Sequence, residues 1–392
     1  MLVRFSVRGC LSFSDTVTLR LVPSDHRRIK GTRYESCFSA VSEYKIMRSL
    51  LVFGPSGAGK TNLLIALQFL LDTILEGWTP ALLPSGNGPV SFAISLYDET
   101  SAQSYDYSLS YTAEGIEEES LSLGGAVLYA YSRGVLEWHG PGDTPRVSSS
   151  EDILAQTAAF LPESEGLRRM AAAVHIVRER DMTVWQQMPM RLSEVEWKYW
   201  QSEERDILFL LQLIDPSICR ISYTGDGDTA EVLLWRHGEP RPCRLSDEAA
   251  GLRKMAALAA GLAQMRQGST VIIDDLDAYW MTPVLQHLIR DFVHQKENRG
   301  QLLGVTHDLL LLDNDLFHPE QLWIARRGPQ GRTQMWPISA YHLRSERRRL
   351  YDAYIKGESI HTRFRRRYDE YTDNLSGSQR VCCGDSDESA RI

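Results

Sequence analysis

The sequence predicts an α/β fold: a mixed β-sheet whose first core strand feeds a glycine-rich loop and an amphipathic helix, with a mainly helical lobe inserted in mid-chain. Three observations carry this. The loop Gly54-Pro55-Ser56-Gly57-Ala58-Gly59-Lys60-Thr61 separates a short apolar run (49–53) from apolar residues at helical spacing (62–75). A second apolar run, Val271-Ile272-Ile273, ends in Asp274-Asp275. A third, over 301–305, stops just before His307.

Composition bounds the rest. The chain has 392 residues, room for two or three domains. Hydrophobic residues at 43% and charged residues at 24% exclude a disordered, fibrous or collagen-like chain. The longest apolar stretch, 63–75, includes Gln68 and Asp72 and is too short to cross a bilayer, so no membrane partner is expected. The opening Met1-Leu2-Val3-Arg4-Phe5 lacks the pattern of a signal peptide. The six cysteines (10, 37, 219, 243, 382, 383) form no C-x-x-C pair and no zinc spacing, which fits a reduced, cytoplasmic chain with free thiols. A net charge of −8 excludes a generally basic nucleic-acid binder but leaves room for a local patch. Only seven lysines occur against 36 arginines, which gives weight to Lys60 inside the glycine-rich loop.

In chain order, alternation over 2–22 predicts two strands around Ser14-Asp15. The polar stretch 23–45 reads as a loop, and 90–111 as a strand pair. Residues 115–150 are Gly/Ser/Glu-rich and indecisive. Residues 151–213 read as mostly helical and include Trp185, Trp197 and Trp200. A hairpin is expected over 221–235, helices over 248–266, 283–295 and 339–370, and disorder over 374–392. The resulting division is 1–112 for the first part of the head, 113–240 for the inserted lobe, 241–372 for the second part, and 373–392 for a tail. The tryptophans offer a partner surface or, more simply, the core of the lobe.

The loop matches G-x-x-x-x-G-K-[ST] in full. Its glycines let backbone N–H groups of 57–61 curl around phosphate oxygens where a Cβ would obstruct them. Lys60 reaches β- and γ-phosphates, the Thr61 hydroxyl ligates Mg²⁺, and the following helix points its positive end at the anion. This selects ATP and Mg²⁺ as ligands, with Gly54, Ser56, Gly57, Ala58, Gly59, Lys60, Thr61 and Asn62 as the binding set. An apolar strand ending in acids places a Mg²⁺-associated carboxylate, Asp274, beside the phosphates, with Asp275 where a general base for water sits. His307 at a third strand end can hydrogen-bond a γ-phosphate.

A fourth segment, Glu248-Ala249-Ala250-Gly251-Leu252-Arg253-Lys254-Met255, opens a helix before the acidic strand. The order of these motifs resembles ABC-type ATPases of the SMC/RecF/OLD kind. In that family a Ser-Gly-Gly signature at a helix start contacts the γ-phosphate held by the other subunit. Leu245-Ser246-Asp247 is one possible register. Aligning Ala257-Leu258-Ala259 with the family helix puts Ala249, Ala250 and Gly251 on the signature instead, and this register is preferred. The N-terminal Phe5-Ser6-Val7-Arg8-Gly9, Leu11-Ser12-Phe13 and Val17-Thr18-Leu19 resemble the bacterial RloA/AbiL-like ATPases. So do Ser49-Leu50-Leu51-Val52-Phe53-Gly54, Thr61-Asn62-Leu63-Leu64, Asp315-Leu316, Gln321-Leu322-Trp323-Ile324 and Tyr354-Ile355-Lys356-Gly357. The resemblance implies an ABC-type, SMC/RecF-like ATPase head that forms a homodimer or higher homo-oligomer, two heads sandwiching two nucleotides. It further implies a phage-defence or toxin-like setting with a separate effector protein encoded nearby.

Three positions depart from the family. Asp275 stands where a glutamate is usual, Ala249 replaces the signature serine, and Met281 replaces a polar residue of the dimer contact. Slow or partner-dependent hydrolysis is therefore expected. Arginines 344, 347, 348, 349, 363, 365, 366 and 367 could grip nucleic acid, although acidic residues interrupt them. A DNA-binding repair ATPase and a nucleotide-binding scaffold with little hydrolysis are the rival functions. The sequence shows no second catalytic motif.

Overall fold

The computed structural model of the chain describes residues 1–24, 29–41, 44–86, 88–147, 152–178, 191–192, 194–225, 230–278, 280–313, 315–328 and 330–341. Trp185, the arginines of 344–367, the expected helix beyond 341, Tyr354–Gly357 and the tail lie outside the described residues.

The chain opens with β1 (Leu2–Arg8) and β2 (Val17–Arg20), then a hairpin of β3 (Phe38–Val41) and β4 (Tyr44–Met47). Strand β5 (Ser49–Phe53) enters the glycine-rich loop and α1 (Lys60–Glu76). Five strands follow: β6 (Val90–Asp98), β7 (Gln103–Thr112), β8 (Gly115–Leu123), β9 (Ala126–Ser132) and β10 (Val135–Trp138). Helices α2 (Ile153–Thr157) and α3 (Glu163–Ala172) lead to β11 (Val174–Val177). The middle region holds β12 (Arg191–Leu192), α4 (Glu194–Ser202), α5 (Glu204–Gln212), β13 (Ile218–Thr224), β14 (Ala230–Arg236) and β15 (Cys243–Arg244). The chain then runs through α6 (Ala250–Gln264), β16 (Thr270–Ile273), α7 (Thr282–Leu288), β17 (Gln301–Thr306), β18 (Leu322–Arg327) and β19 (Thr333–Pro337).

Two large sheets result. One is antiparallel with the order β10-β9-β8-β7-β6-β1-β2. The other has the order β11-β16-β17-β5-β18-β19, parallel except for β19. The core strands of this mixed sheet are apolar without a break because both faces are covered. Leu50, Val52, Ile272, Leu303 and Val305 face α1 and the antiparallel sheet, where Leu63, Leu64, Leu67, Phe5 and Phe92 pack. Leu51, Phe53, Val271, Ile273 and Leu302 face the opposite side, packed by Leu258 and Leu262 of α6, Leu210 of α5 and Leu285 of α7. Each fully buried leucine contributes about 1.5–3 kcal/mol, so the first of these layers holds α1 far more firmly than helix propensity does.

One side chain joins the sheets. Gln301 opens β17 and is fully buried. Its amide nitrogen donates to Leu2 O and Met47 O, both at 2.9 Å. Its carbonyl accepts from Leu2 N at 2.6 Å and Thr270 Oγ1 at 2.9 Å. All four of its hydrogen-bonding positions are filled by backbone or hydroxyl groups of three other strands.

The structure corrects several expectations. The boundary at 112/113 falls in the turn between β7 and β8, and β8–β10 continue the antiparallel sheet, so the inserted region is less helical than expected. One face of β8 is buried at Ile116, Glu119 and Leu121 while its other face is polar, which masks the alternation in a Gly/Ser/Glu-rich stretch. Within 151–213, Val174–Val177 is a strand, stabilised by parallel pairing with β16. The expected loop at 23–45 contains the β3–β4 hairpin. The helix expected over 283–295 is α7 followed by a π-type turn, Ile289–Val293. Trp200 is buried in the second core and Trp197 packs against it, 6.2 Å from the Tyr223 ring, so both serve packing.

Replacing Gln301 with leucine strands the Leu2 N–H and C=O and the Met47 carbonyl in a dry interior. Urea unfolding of Gln301→Leu is expected to show a loss of about 2–4 kcal/mol.

Candidate functional site

Strands β16, β17 and β5 are parallel neighbours, with Ile273 opposite Gly304 and Gly304 opposite Leu51. Parallel strands finish on one rim, so the residues after each strand end meet there. The glycine-rich loop, Asp274-Asp275 and His307 are brought together in this way.

The loop needs two left-handed residues, Gly57 at φ 76° and Gly59 at φ 93°, conformations that a Cβ would strain. The space beside Gly57 is open. The first turn of α1 contains no acidic side chain, so its N–H groups and helix dipole are free to act on an anion. Lys60 is buried, and its Nζ donates to Gly54 O at 2.9 Å and Pro55 O at 3.2 Å. The same Nζ lies 3.1 Å from His307 Nε2. An ammonium has no acceptor, so Nε2 accepts here and the imidazole proton sits on Nδ1. Burial lowers the Lys60 pKa, while Asp275, Asp274 and Asp277 pull it back up.

Asp274 ends β16 and is only 4% exposed. Burial raises its pKa, a shift that the nearby Thr61 hydroxyl and Asp275 N–H oppose. Its Oδ1 is buried without a hydrogen-bond partner among the described residues. A buried anionic oxygen of this kind, beside a threonine hydroxyl, fits Mg²⁺, which prefers hard oxygen donors. No group of three or more His, Cys, Asp or Glu able to hold a metal occurs among the described residues. A cation here would therefore complete its shell from phosphate and water, as Mg²⁺ commonly does.

Asp275 adopts a left-handed backbone at φ 47°, which aspartate tolerates better than most residues. Its Oδ1 lies 3.7 Å from His307 Nε2. Asp277 fixes the position of the histidine: its Oδ1 accepts from Thr306 Oγ1 at 2.6 Å and from His307 N at 2.9 Å. Asp308 accepts from the Thr282 hydroxyl and, at 2.9 Å, from Leu310 N.

The remaining expected residues are placed as follows. Ser56 and Thr61 are exposed at the loop mouth and Ala58 is buried. The Asn62 side chain turns away from the mouth and donates to Ser12 Oγ at 2.8 Å. Leu245–Asp247 is a short 3-10 turn with Leu245 buried. Ala249 caps α6 without a side-chain hydrogen bond, and Ala249 and Ala250 are exposed. Residues 249–251 thus form a helix start at the surface. Met281 is exposed immediately before α7. Sequence reasoning missed Ser12 and Thr333, which support the loop from 321 residues apart, a separation at which no motif spacing can signal contact.

No protein-family model matches the sequence, and neither does any curated protein. Among solved structures the chain is similar to SMC heads. One, an SMC head bound to the C-winged helix domain of ScpA, is 12% identical, with 86% of this chain and 96% of that chain covered and a TM-score of 0.51. A second, with an extended coiled coil and bound to the C-terminal domain of ScpA, derived from Pyrococcus furiosus, is 11% identical, with 86% and 97% covered and a TM-score of 0.50. The SMC head domain from Thermotoga maritima is 14% identical, with 86% and 98% covered and a TM-score of 0.48. The fold is that of an SMC head domain. No described helix is long and apolar enough to cross a membrane.

Asp274 carries a buried charge that the fold itself does not fully satisfy. Its raised pKa means that it opposes folding increasingly as pH climbs above the usual carboxylate range. Asp274→Asn is expected to be more stable than the parent at pH 7 by about 0.5–2 kcal/mol, with the gap closing toward pH 4. Urea unfolding of both proteins without Mg²⁺ or nucleotide checks this.

Proposed function

We propose that the chain is an ATP-binding and ATP-hydrolysing subunit. The convergence of Lys60, Asp274 and His307 on one rim of the mixed sheet is the observation that supports this best. Lys60 and the backbone amides of 57–61 would hold the phosphates, and Thr61 and Asp274 would hold Mg²⁺. Held there, Mg²⁺ would supply charge neutralisation to the phosphates. Asp275 accepts a proton from attacking water, and His307, oriented by Asp277, contacts the terminal phosphate. Two copies would pair head to head, each exposed Ala249-Ala250-Gly251 helix start facing the partner's nucleotide.

Hydrolysis should be slow. Aspartate is one methylene shorter than the glutamate that resembling proteins carry, and its left-handed backbone is a further constraint on where the carboxylate reaches. Ala249 brings no hydroxyl to the partner's phosphate. These positions also favour a second reading, in which ATP acts mainly as a conformational ligand for a scaffold.

The setting rests on the RloA/AbiL-like motifs: a bacterial anti-phage or toxin-like system, in the cytoplasm, where ATP-dependent head pairing controls a separate effector. The solved SMC heads bound to ScpA domains show that a head of this fold can carry a second protein. Purifying the tagged chain with its neighbouring genes should co-elute one stoichiometric protein. Recovery of DNA without a partner would favour a repair ATPase.

Two variants test the chemistry. Lys60→Ala is expected to weaken ATP binding by about 10–100-fold, read by nucleotide titration. Asp275→Glu is expected to raise steady-state turnover by on the order of 10–100-fold, despite a backbone cost of about 1 kcal/mol. Unchanged or lower turnover would show that Asp275 is not a weakened base.

A further inference from the structure

The glycine-rich loop is supported from behind by side chains outside the G-x-x-x-x-G-K-[ST] pattern. Ser12 lies in the turn from β1 to β2, Thr333 opens β19, and Asn62 is in the first turn of α1. Asn62 Nδ2 donates to Ser12 Oγ at 2.8 Å, Ser12 Oγ and Thr333 Oγ1 are 2.6 Å apart, and Thr333 Oγ1 is 2.9 Å from Ala58 O. The same two turns are joined by Thr333 N donating to Ser12 O at 2.7 Å and by an Arg332–Asp15 ion pair at 3.6 Å.

Thr333 Oγ1 is the donor to both Ala58 O and Ser12 Oγ, so its single proton is shared between two acceptors, and Asn62 Nδ2 gives Ser12 Oγ a second donor. This relay holds the Thr333 hydroxyl in place behind the loop. Ala58 and Thr333 are both buried, so water cannot take over the role.

We infer that Thr333 and Ser12 are positioning residues for the phosphate-binding loop. The Ala58 carbonyl shares its peptide plane with the Gly59 N–H, and in a trans peptide the two point in opposite directions. Pinning the carbonyl on Thr333 aims the Gly59 N–H to the other side, away from Thr333 and toward the mouth of the loop. Gly59 has the left-handed φ at which the loop turns into α1, and a Cβ there would overlap Thr333 Oγ1. The relay thus fixes the peptide that presents an amide to phosphate. This rests on the reading that the loop binds ATP, and it adds residues from β19 and the β1–β2 turn to that site.

The test is ATP titration of the full chain and of Thr333→Val, Thr333→Ser, Ser12→Ala and Lys60→Ala, alongside thermal unfolding without nucleotide. Thr333→Val is expected to bind ATP about tenfold more weakly, with Thr333→Ser returning to within about twofold because it keeps the hydroxyl. Ser12→Ala is expected to fall between them. Wild-type affinity in Thr333→Val, or equal weakness in Thr333→Val and Thr333→Ser, overturns the positioning role. If Thr333→Val does not fold, Ser12→Ala decides: weaker binding at an unchanged melting temperature supports the role, and unchanged binding overturns it. If the parent chain binds ATP no better than Lys60→Ala, the ATP reading itself fails and the positioning role falls with it.

Discussion

Parallel pairing of β5, β16 and β17 is the constraint on which the rest depends. Three strands running the same way, all buried on both faces, must end together. Their ends are therefore the place where polar groups from distant parts of the chain can meet without entering the core. Register does the fine placement: Phe53 pairs with Thr306, so the glycine-rich loop and His307 leave the sheet level with each other, while β16 stops beside Gly304, two residues earlier on β17. Helix α1 fills the space between the two sheets and turns its N-terminus toward that rim.

The rim concentrates charge that the fold alone would disfavour. Lys60 is buried against backbone carbonyls and the His307 ring, and Asp274 is buried with one oxygen unpartnered. Each has its pKa moved by desolvation toward the neutral form. Buried groups with shifted pKa values are common where a site is shaped for a ligand: an anion would complement Lys60, and a cation the unpartnered oxygen of Asp274. Asp277 plays a double part: its charge helps to hold the Lys60 pKa up, and its carboxylate holds the Thr306 hydroxyl and the His307 N–H in place.

Much of this was legible in the sequence because its chemistry is local. A glycine-rich loop between an apolar run and a helix, or an apolar run ending in two aspartates, carries its meaning within a dozen residues. The parts that escaped were decided by long-range pairing. Strand β11 looks helical until β16 lies beside it, and β8 hides its alternation under glutamate and serine on its outer face. Ser12 is an ordinary turn residue and Thr333 an ordinary strand residue, and only the folded chain brings them together behind Ala58. Trp197 and Trp200 went the other way: their promise as a surface disappears once both pack in the second core.

Gln301 has a use outside the molecule. An amide whose two donors and two acceptors are all engaged by the backbone of β1, the end of β4 and a threonine of β16 has no adequate substitute: asparagine is too short, glutamate lacks the donors, and leucine has neither. A glutamine at the start of the strand that leads, six residues later, to the site histidine is therefore a compact sequence marker. It could pick out other chains built on this two-sheet joint even where the loops of the site have diverged beyond recognition.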